Sequence, residues 1–532
     1  MAITGDWDRR ISRRTLLKTG GSLAAGMTLA GITGGRAFAQ PHFDSYPFTL
    51  GVASGDPSPT GVVLWTRLAP DPLAVGGGLP AEPYEVRYEV AKDEGFQKII
   101  RSGSTVALPE EAHSVRVELD DLGPRHEFFY RFMAGHDISR TGRTRTTPPG
   151  NAMVESVTFA FVSCQNFADG YFTPYADVAD AADIEAVIHL GDYIYEGSAS
   201  VVRAHAPLRE IMTLDEYRIR HGQYKTDPHL QAAHAAHPWL VTWDDHEFDN
   251  NYANLEMDPD MTVERARARR EAAYRAYWEH MPLARARKPV GPDLQLYRRF
   301  TWGQQATFNV LDGRQYRSDQ PPTNCTGSTD AYGYCPEALY ADRTMLGADQ
   351  REWLLEELAT TKARWNVIAQ QTAFAPRSDA TDETTRSFPG RDNWDGYVAE
   401  RQQILDWIVA HRTPNPVVLT GDSHQNWVRN VPPHYSSFDG LPVATEFMGT
   451  SISTGGDRGT VTRFGDDPNN PHILFQNNNC GYVRCTLTPE LWTTEYRTVT
   501  QVSVPESPTS TKATFVVENG LPGAELATTT GV

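Results

Sequence analysis

The sequence predicts an α/β layered domain preceded by a small β-sandwich. Three observations carry this reading. From Val157 onward, short apolar runs of strand length alternate with long helical patterns. Between Phe48 and about Thr147 only strand-like runs and turn residues occur. Polar, acid-rich clusters follow directly on the apolar runs, where α/β folds place their sites.

Residues 1–39 read as a targeting segment. Ser12-Arg13-Arg14-Thr15-Leu16-Leu17-Lys18 is a twin-arginine pattern, a Gly/Ala-rich apolar stretch runs from Gly20 to Ile32, and Ala37-Phe38-Ala39 is a small-x-small cleavage site. Export by the twin-arginine machinery to the periplasm or beyond is expected, a route that usually carries proteins already folded around a metal or cofactor. No later stretch of about 18 apolar residues occurs, so no transmembrane span is expected. Residues 1–39 hold six Lys and Arg against two Asp, a net of +4, so the remainder stands at −22 against −18 for the whole chain. Such an acidic surface repels nucleic acid and anionic membrane, which excludes a polyanion-binding protein. A phosphate-handling site would need its own positive charge, such as metal ions.

Residues 40–147 are the expected sandwich. Gly61–Trp65, Tyr84–Val90, His113–Leu119 and Glu127–Phe132 are its strand-like runs, punctuated by Asp56-Pro57, Asp71-Pro72 and Gly76-Gly77-Gly78. Residues 148–504 are the α/β part. Strands are predicted at Val157–Val162, Ala186–Leu190, Trp239–Trp243, Phe308–Leu311, Val367–Ala369 and Val417–Thr420, and long helices at Thr262–His280 and Gly347–Arg364. Residues 505–532, rich in Ser, Thr, Pro and Gly, read as a loosely held tail. In an oxidising compartment Cys325 with Cys335, and Cys480 with Cys485, read as local disulfides, leaving Cys164 unpaired.

Four clusters carry chemistry: Ser163-Cys164-Gln165-Asn166, Gly191-Asp192-Tyr193-Ile194-Tyr195-Glu196, Trp243-Asp244-Asp245-His246-Glu247 and Gly421-Asp422-Ser423-His424-Gln425. Gln370-Gln371 is a weaker fifth. Each alone is a modest signal. An Asp after a strand is most often a cap or turn residue, and an isolated Cys is most often a small buried hydrophobe. His189, on an apolar strand, reads as a core histidine. The order of the clusters changes the odds, since carboxylates and imidazoles recur at successive strand ends without a hydrophobic explanation.

In that order the chain resembles the metallophosphoesterase superfamily, whose general pattern runs Dx[HY], GDxxY, GN[HD][DE], a lone His and GHxH. Here Cys164, Asp244-Asp245-His246-Glu247, a glutamine and Gly421-Asp422-Ser423-His424 stand at four of these places. Those departures resemble the PhoD-type alkaline phosphatases. So do Leu50–Pro57, Leu311–Arg317, Gln370-Gln371 and Asn393–Tyr397, and the likeness spans nearly the whole mature chain. The resemblance implies a four-layer double β-sheet flanked by helices and a phosphoric ester hydrolase acting on mono- or diesters.

Asp192 is the natural bridge between two cations about 3.5–4 Å apart. Cys164, Tyr195 and His424 would complete a soft anionic set suited to Fe3+, as the resemblance also implies. Asp245, Asp422 and Asp244 or Gln371 are oxygen donors, for which the resemblance implies Ca2+. Mn2+ or Zn2+ would be expected there had the usual histidines been present. His246 is the candidate to protonate the leaving oxygen. Asn166, and Arg314 or Arg317, are candidates to contact phosphate, each equally readable as a structural hydrogen-bonder. Two other readings compete: a phospholipase D-like phosphodiesterase of the same fold, and a surface-binding protein with an inert α/β part.

Overall fold

The apolar runs assemble into two large sheets and one small one in the computed structural model, which describes residues 41–257, 261–322, 329–380, 386–438, 440–465 and 467–529. The targeting segment lies outside the described residues. Val157–Val162, Ala186–His189, Pro238–Val241 and Val52–Gly55 run parallel in the middle of a ten-stranded sheet. Ala306–Val310, Trp365–Ala369, Pro416–Thr420 and Ala444–Met448 run parallel in an eight-stranded sheet.

The alternation of side chains along each strand explains the layering. Phe159, Phe161, Ile188 and Leu240 meet Phe308, Val367, Val417 and Leu419 of the other sheet in one buried cluster. Their sequence neighbours Ala160, Val162, Val187 and Trp239 cluster instead with helical Tyr175, Tyr217, Leu230 and Tyr274. On the eight-stranded sheet, Ile368 and Val418 pack on Leu354 of helix Gly347–Thr360 and on Ile404 and Ile408 of helix Val398–His411. Helix, sheet, sheet and helix therefore stack as four layers. Strands buried on both faces read as continuous apolar runs, which is why these were legible. Each fully buried Phe or Leu in the layers contributes roughly 1.5–3 kcal/mol.

The N-terminal sandwich exists, but one of its two leaves is shared. Val86, Val90, Tyr130 and Phe132 of the five-stranded sheet pack on Val62, Leu64, Val115 and Val117. The strands Val62–Arg67 and Ser114–Leu119, which carry those partners, continue the ten-stranded sheet through Val52–Gly55, whose Ser54 pairs with Pro238. Sheet hydrogen bonding thus runs across the expected boundary at 147/148.

Two expectations are corrected. The segment expected as a loose tail, 505–532, is sheet over its described part: Thr509–Glu518 and Leu521–Thr529 are the last two strands of the ten-stranded sheet, with Ala513, Phe515 and Val517 buried. Cys480 and Cys485 do not pair. Both are free and buried, and the strand Gly481–Leu487 holds them apart. Five residues of strand span about 16 Å, far beyond the roughly 4.4–6.8 Å between bridged Cα atoms. Cys325 lies outside the described residues, so its bridge to Cys335 stays an expectation.

Candidate metal centre

Every cluster read from the sequence lies where a parallel strand ends. Cys164 follows Val157–Val162, Asp192 follows Ala186–His189, Asp244 and Asp245 follow Pro238–Val241, and Asp422 and His424 follow Pro416–Thr420. Cys164, Asp192, Asp422 and His424 all adopt positive φ, at 58°, 57°, 63° and 55°. Left-handed backbone in non-glycine residues is strained, and four instances in one place mark a functional site. The chain also needs glycine here. A Cβ on Gly191, whose φ is 115°, would stand 2.4 Å from the Cβ and N of Asp244, so the Asp192 and Asp244 loops touch only because Gly191 has none.

Backbone bonds fasten the loops to one another. Cys164 N donates to Gly191 O (3.1 Å), Gln165 N to Asp192 O (3.0 Å) and Gly421 N to Gln371 O (2.7 Å). The Glu247 carboxylate accepts from Asp192 N (3.0 Å), Tyr193 N (2.6 Å) and Asp244 N (2.9 Å). Tyr195 is placed by the helix Leu214–Tyr224, which opens with a capping box of Thr213 and Glu216. Tyr224 Oη accepts from Tyr195 N (3.1 Å), and the buried Arg220 donates to Tyr195 O.

Three groups of potential ligands result, each with its ligand atoms within 4.8 Å of one another. They are Cys164, Asp192 and His424; Asp192, Asp245 and His246; and Asp244, Asp245 and Asp422. Asp192 belongs to the first two and Asp245 to the last two. The Tyr195 hydroxyl donates to Asp192 Oδ2 (2.9 Å) and lies 3.2 Å from His424 Nε2, so the phenol joins the first group. Asp192 Oδ1 is buried with no hydrogen-bond partner. A carboxylate oxygen left bare in a protein interior costs free energy unless a cation takes it, and the donor set around it suits one.

The electrostatics agree. Burial pushes Cys164, Asp192, Tyr195 and Asp422 well above their ordinary values, and Asp244 up to about 6. Asp245 is also buried, yet Arg314 and then His246 hold it below its usual range. Burial opposes a charge on His246, but Asp245, Glu196 and Asp192 outweigh it and raise its value. His246 Nδ1 lies 2.7 Å from Glu196 Oε2, and its ring packs on Tyr195 with centroids 4.2 Å apart. Burial lowers His424 to about 4, leaving a neutral imidazole able to bind a cation.

The geometry bears on three expected roles. Arg314 is fully buried among acids: it is bonded to Asp244 and to Asp392 (2.7 Å) and lies 3.5 Å from both Asp245 and Asp422, while its Nη2 makes no hydrogen bond. Its charge offsets that of these acids. Gln371 is a clamp. Its Nε2 donates to Thr242 Oγ1, Trp243 O and Leu311 O at 2.8–3.0 Å, and its Oε1 accepts from Gly313 N (3.0 Å), which leaves its amide engaged by the scaffold. Asn166 Oδ1 accepts from Ala168 N (3.0 Å), a turn contact that engages only the oxygen of its amide. His189 is a buried core residue that accepts from Gly191 N through Nδ1 (3.2 Å). The sequence reading missed Asp392, shared by Arg314 and Arg317 (2.6 Å), as well as Glu196, Glu247 and Thr454. Glu196 and Glu247 stood inside the quoted clusters. Nothing local marked Asp392 or Thr454.

A double-sheet sandwich bearing a buried, acid-rich ligand cluster on the rims of both sheets defines a metal-dependent hydrolase. Comparison with known proteins narrows the class. The model of the PhoD-like phosphatase family matches residues 159–496, and that of its N-terminal domain matches residues 35–148. Alkaline phosphatase D of Bacillus subtilis (strain 168) is 46% identical over 534 residues, covering 98% of this chain and 90% of that one. A solved structure of PhoD superposes with a TM-score of 0.87, covering 92% of this chain and 94% of that one. The chain belongs to the PhoD-like phosphatase family and is a phosphoric ester hydrolase.

Proposed function

We propose that this chain is an exported alkaline phosphatase, with phosphodiesterase activity, whose centre holds Fe3+ beside Ca2+. The observation that carries the reading is the sharing of Asp192 between two ligand groups while its Oδ1 has no protein partner. Cys164, Asp192, Tyr195 and His424 would hold the ferric ion, and Asp192, Asp245, Asp422 and Asp244 the calcium. When bound, such a pair supplies Lewis acidity toward the phosphoryl oxygens and a nucleophile at neutral pH.

The protein's own groups do the rest. Arg314 offsets the charge of Asp244, Asp245, Asp392 and Asp422, which keeps four acids close together in a buried place. Glu196 fixes the His246 ring through Nδ1, leaving Nε2 as the nitrogen that delivers a proton to the leaving oxygen. Thr454 Oγ1 lies 2.7 Å from Cys164 O and 2.9 Å from Tyr195 Oη, and so holds thiol and phenol segments together. Among the described residues no helix is long and apolar enough to cross a membrane. The twin-arginine segment supports export in folded form.

Metal analysis of the purified protein, together with hydrolysis of p-nitrophenyl phosphate and its bis-ester with and without added Ca2+, tests the reading. About one iron per chain, a visible charge-transfer band and calcium-dependent turnover are expected. Full turnover in an iron-free, colourless preparation would overturn the metal assignment.

A further inference from the structure

We propose that Arg458 is a positioning residue for the ferric half of the centre, where its guanidinium ties the His424 loop to the segment that holds Cys164 and Tyr195. The proposal rests on reading Cys164, Asp192, Tyr195 and His424 as the iron ligands.

Topology brings the parts together. Pro416–Thr420 and Ala444–Met448 are neighbouring parallel strands, so the segments that follow them leave the same edge of the eight-stranded sheet. The first carries Asp422 and His424. The second runs through Thr450 to the glycine-rich turn Thr454-Gly455-Gly456-Asp457-Arg458-Gly459. On its way it crosses to the Cys164 loop of the other sheet. Ile452 N donates to Ser163 O (3.0 Å), Ser453 N to Cys164 O (3.4 Å) and Ser453 Oγ to Asn166 O (2.8 Å). With Thr454 Oγ1 on Cys164 O and Tyr195 Oη, this segment grips the thiol and the phenol.

Arg458 adds the imidazole. Its Nη1 donates to His424 O (2.9 Å) and its Nη2 to Thr454 O (2.9 Å). Thr450 Oγ1 donates to the same His424 carbonyl (3.2 Å). The planar fork of a guanidinium can hold two carbonyls in one fixed geometry, which the single ammonium of a lysine does not. Gly455, at φ 86°, makes room for the fork, since a Cβ there would collide with the guanidinium. The turn is anchored on its far side as well. Gly455 N donates to Asp169 Oδ2 (2.7 Å), and Asp457 Oδ1 accepts from Val502 N (2.6 Å) and Ser503 N (3.2 Å). Asp457 is thus engaged by backbone N–H groups, and the guanidinium is spent on carbonyls.

His424 needs such a hold. Its backbone is left-handed, at φ 55°, and strained conformations persist only where the surroundings over-determine them. A half-buried arginine and a buried threonine on its carbonyl supply that constraint, one layer outside the ligands themselves.

The test follows iron leaving the metal-loaded enzyme into excess chelator, read as decay of the visible charge-transfer band. Arg458→Ala is expected to lose iron about 10–100-fold faster than the wild type, with the band displaced, because loss of an outer partner loosens a ligand by that order. Added guanidinium ion should slow the loss again by refilling the vacated place. Arg458→Lys keeps the charge and most of the stem, so its folding is secure, and it too should lose iron faster because it lacks the fork. An iron-loss rate and band matching the wild type in either variant would overturn the bridging role of Arg458 alone. A wild type that holds no iron would overturn the reading of the centre and this inference with it.

Discussion

The Glu247 carboxylate accepts a hydrogen bond from Asp192 N at 3.0 Å across 55 residues of chain, and the same carboxylate holds Tyr193 N and Asp244 N. One buried acid therefore fixes the spacing of two ligand loops. Glu247→Gln keeps the shape but turns one acceptor into a donor facing backbone N–H groups. A loss of about 1–3 kcal/mol is expected in urea unfolding, with reduced metal content in protein that still folds. Unchanged stability and metal stoichiometry would show that the loops hold their spacing without it.

Cys164 gives the second prediction. Its thiol is buried 3.2 Å from Ser163 Oγ and grouped with Asp192 and His424, and it has no disulfide. Cys164→Ala should abolish the visible band and lower kcat by more than the roughly 10–100-fold typical of residues one shell further out. The far-ultraviolet circular dichroism should stay native. Cys485→Ala, a buried thiol in the core between the sheets, 3.7 Å from Thr494 Oγ1, is the control and should keep the band. Colour persisting in the Cys164 variant would remove the thiolate from the ligand set.

His246 supplies a prediction that separates chemistry from scaffolding. With Nδ1 held by Glu196, its loss should matter most where the leaving oxygen most needs a proton. His246→Ala is expected to lower kcat by about 100-fold or more for alkyl phosphates and much less for p-nitrophenyl phosphate. An equal loss along the leaving-group series would reduce His246 to a structural part.

The legible and illegible parts of this protein divide along physical lines. Strands buried on both faces carry apolar runs, and their ends carry the candidate ligands in sequence-local clusters. Hence Cys164, Asp192, Tyr195, Asp245 and His424 could be named before any coordinates, and they do converge. Asp392 reaches Arg314 from a loop without periodicity, across 78 residues, and no local pattern announces it. The final two strands were misread because a Ser/Thr-rich stretch resembles a tail. Only the alternation of buried Ala513, Phe515 and Val517, with β-branched Thr514 and Val516 between, betrays a half-buried strand. Residue type did not separate Gln371 the ligand from Gln371 the clamp. Its amide is engaged by Thr242, Trp243, Leu311 and Gly313, contacts that exist only once the two sheets are stacked.

Lys225 offers a pH prediction away from the centre's chemistry. Its ammonium is buried, 2.9 Å from Tyr193 Oη and 3.5 Å from His234 Nε2, and 4.6 Å over the Trp65 ring. Burial lowers its value from 10.5 to about 7. Because the folded value lies below the unfolded one, the unfolded chain binds more protons between them. The penalty is complete below about pH 7 and is relieved as pH rises toward 10.5. The contact with Trp65 favours the charged form and trims the effect, so a span of the order of a few kcal/mol is expected. Lys225→Met removes the charge at nearly constant volume. Its stability relative to wild type in urea should be highest near pH 6.5 and should decline toward pH 9 as the wild-type lysine sheds its proton. Parallel stability curves for the two proteins across that window would show that the buried amine carries the same charge in both folded and unfolded states.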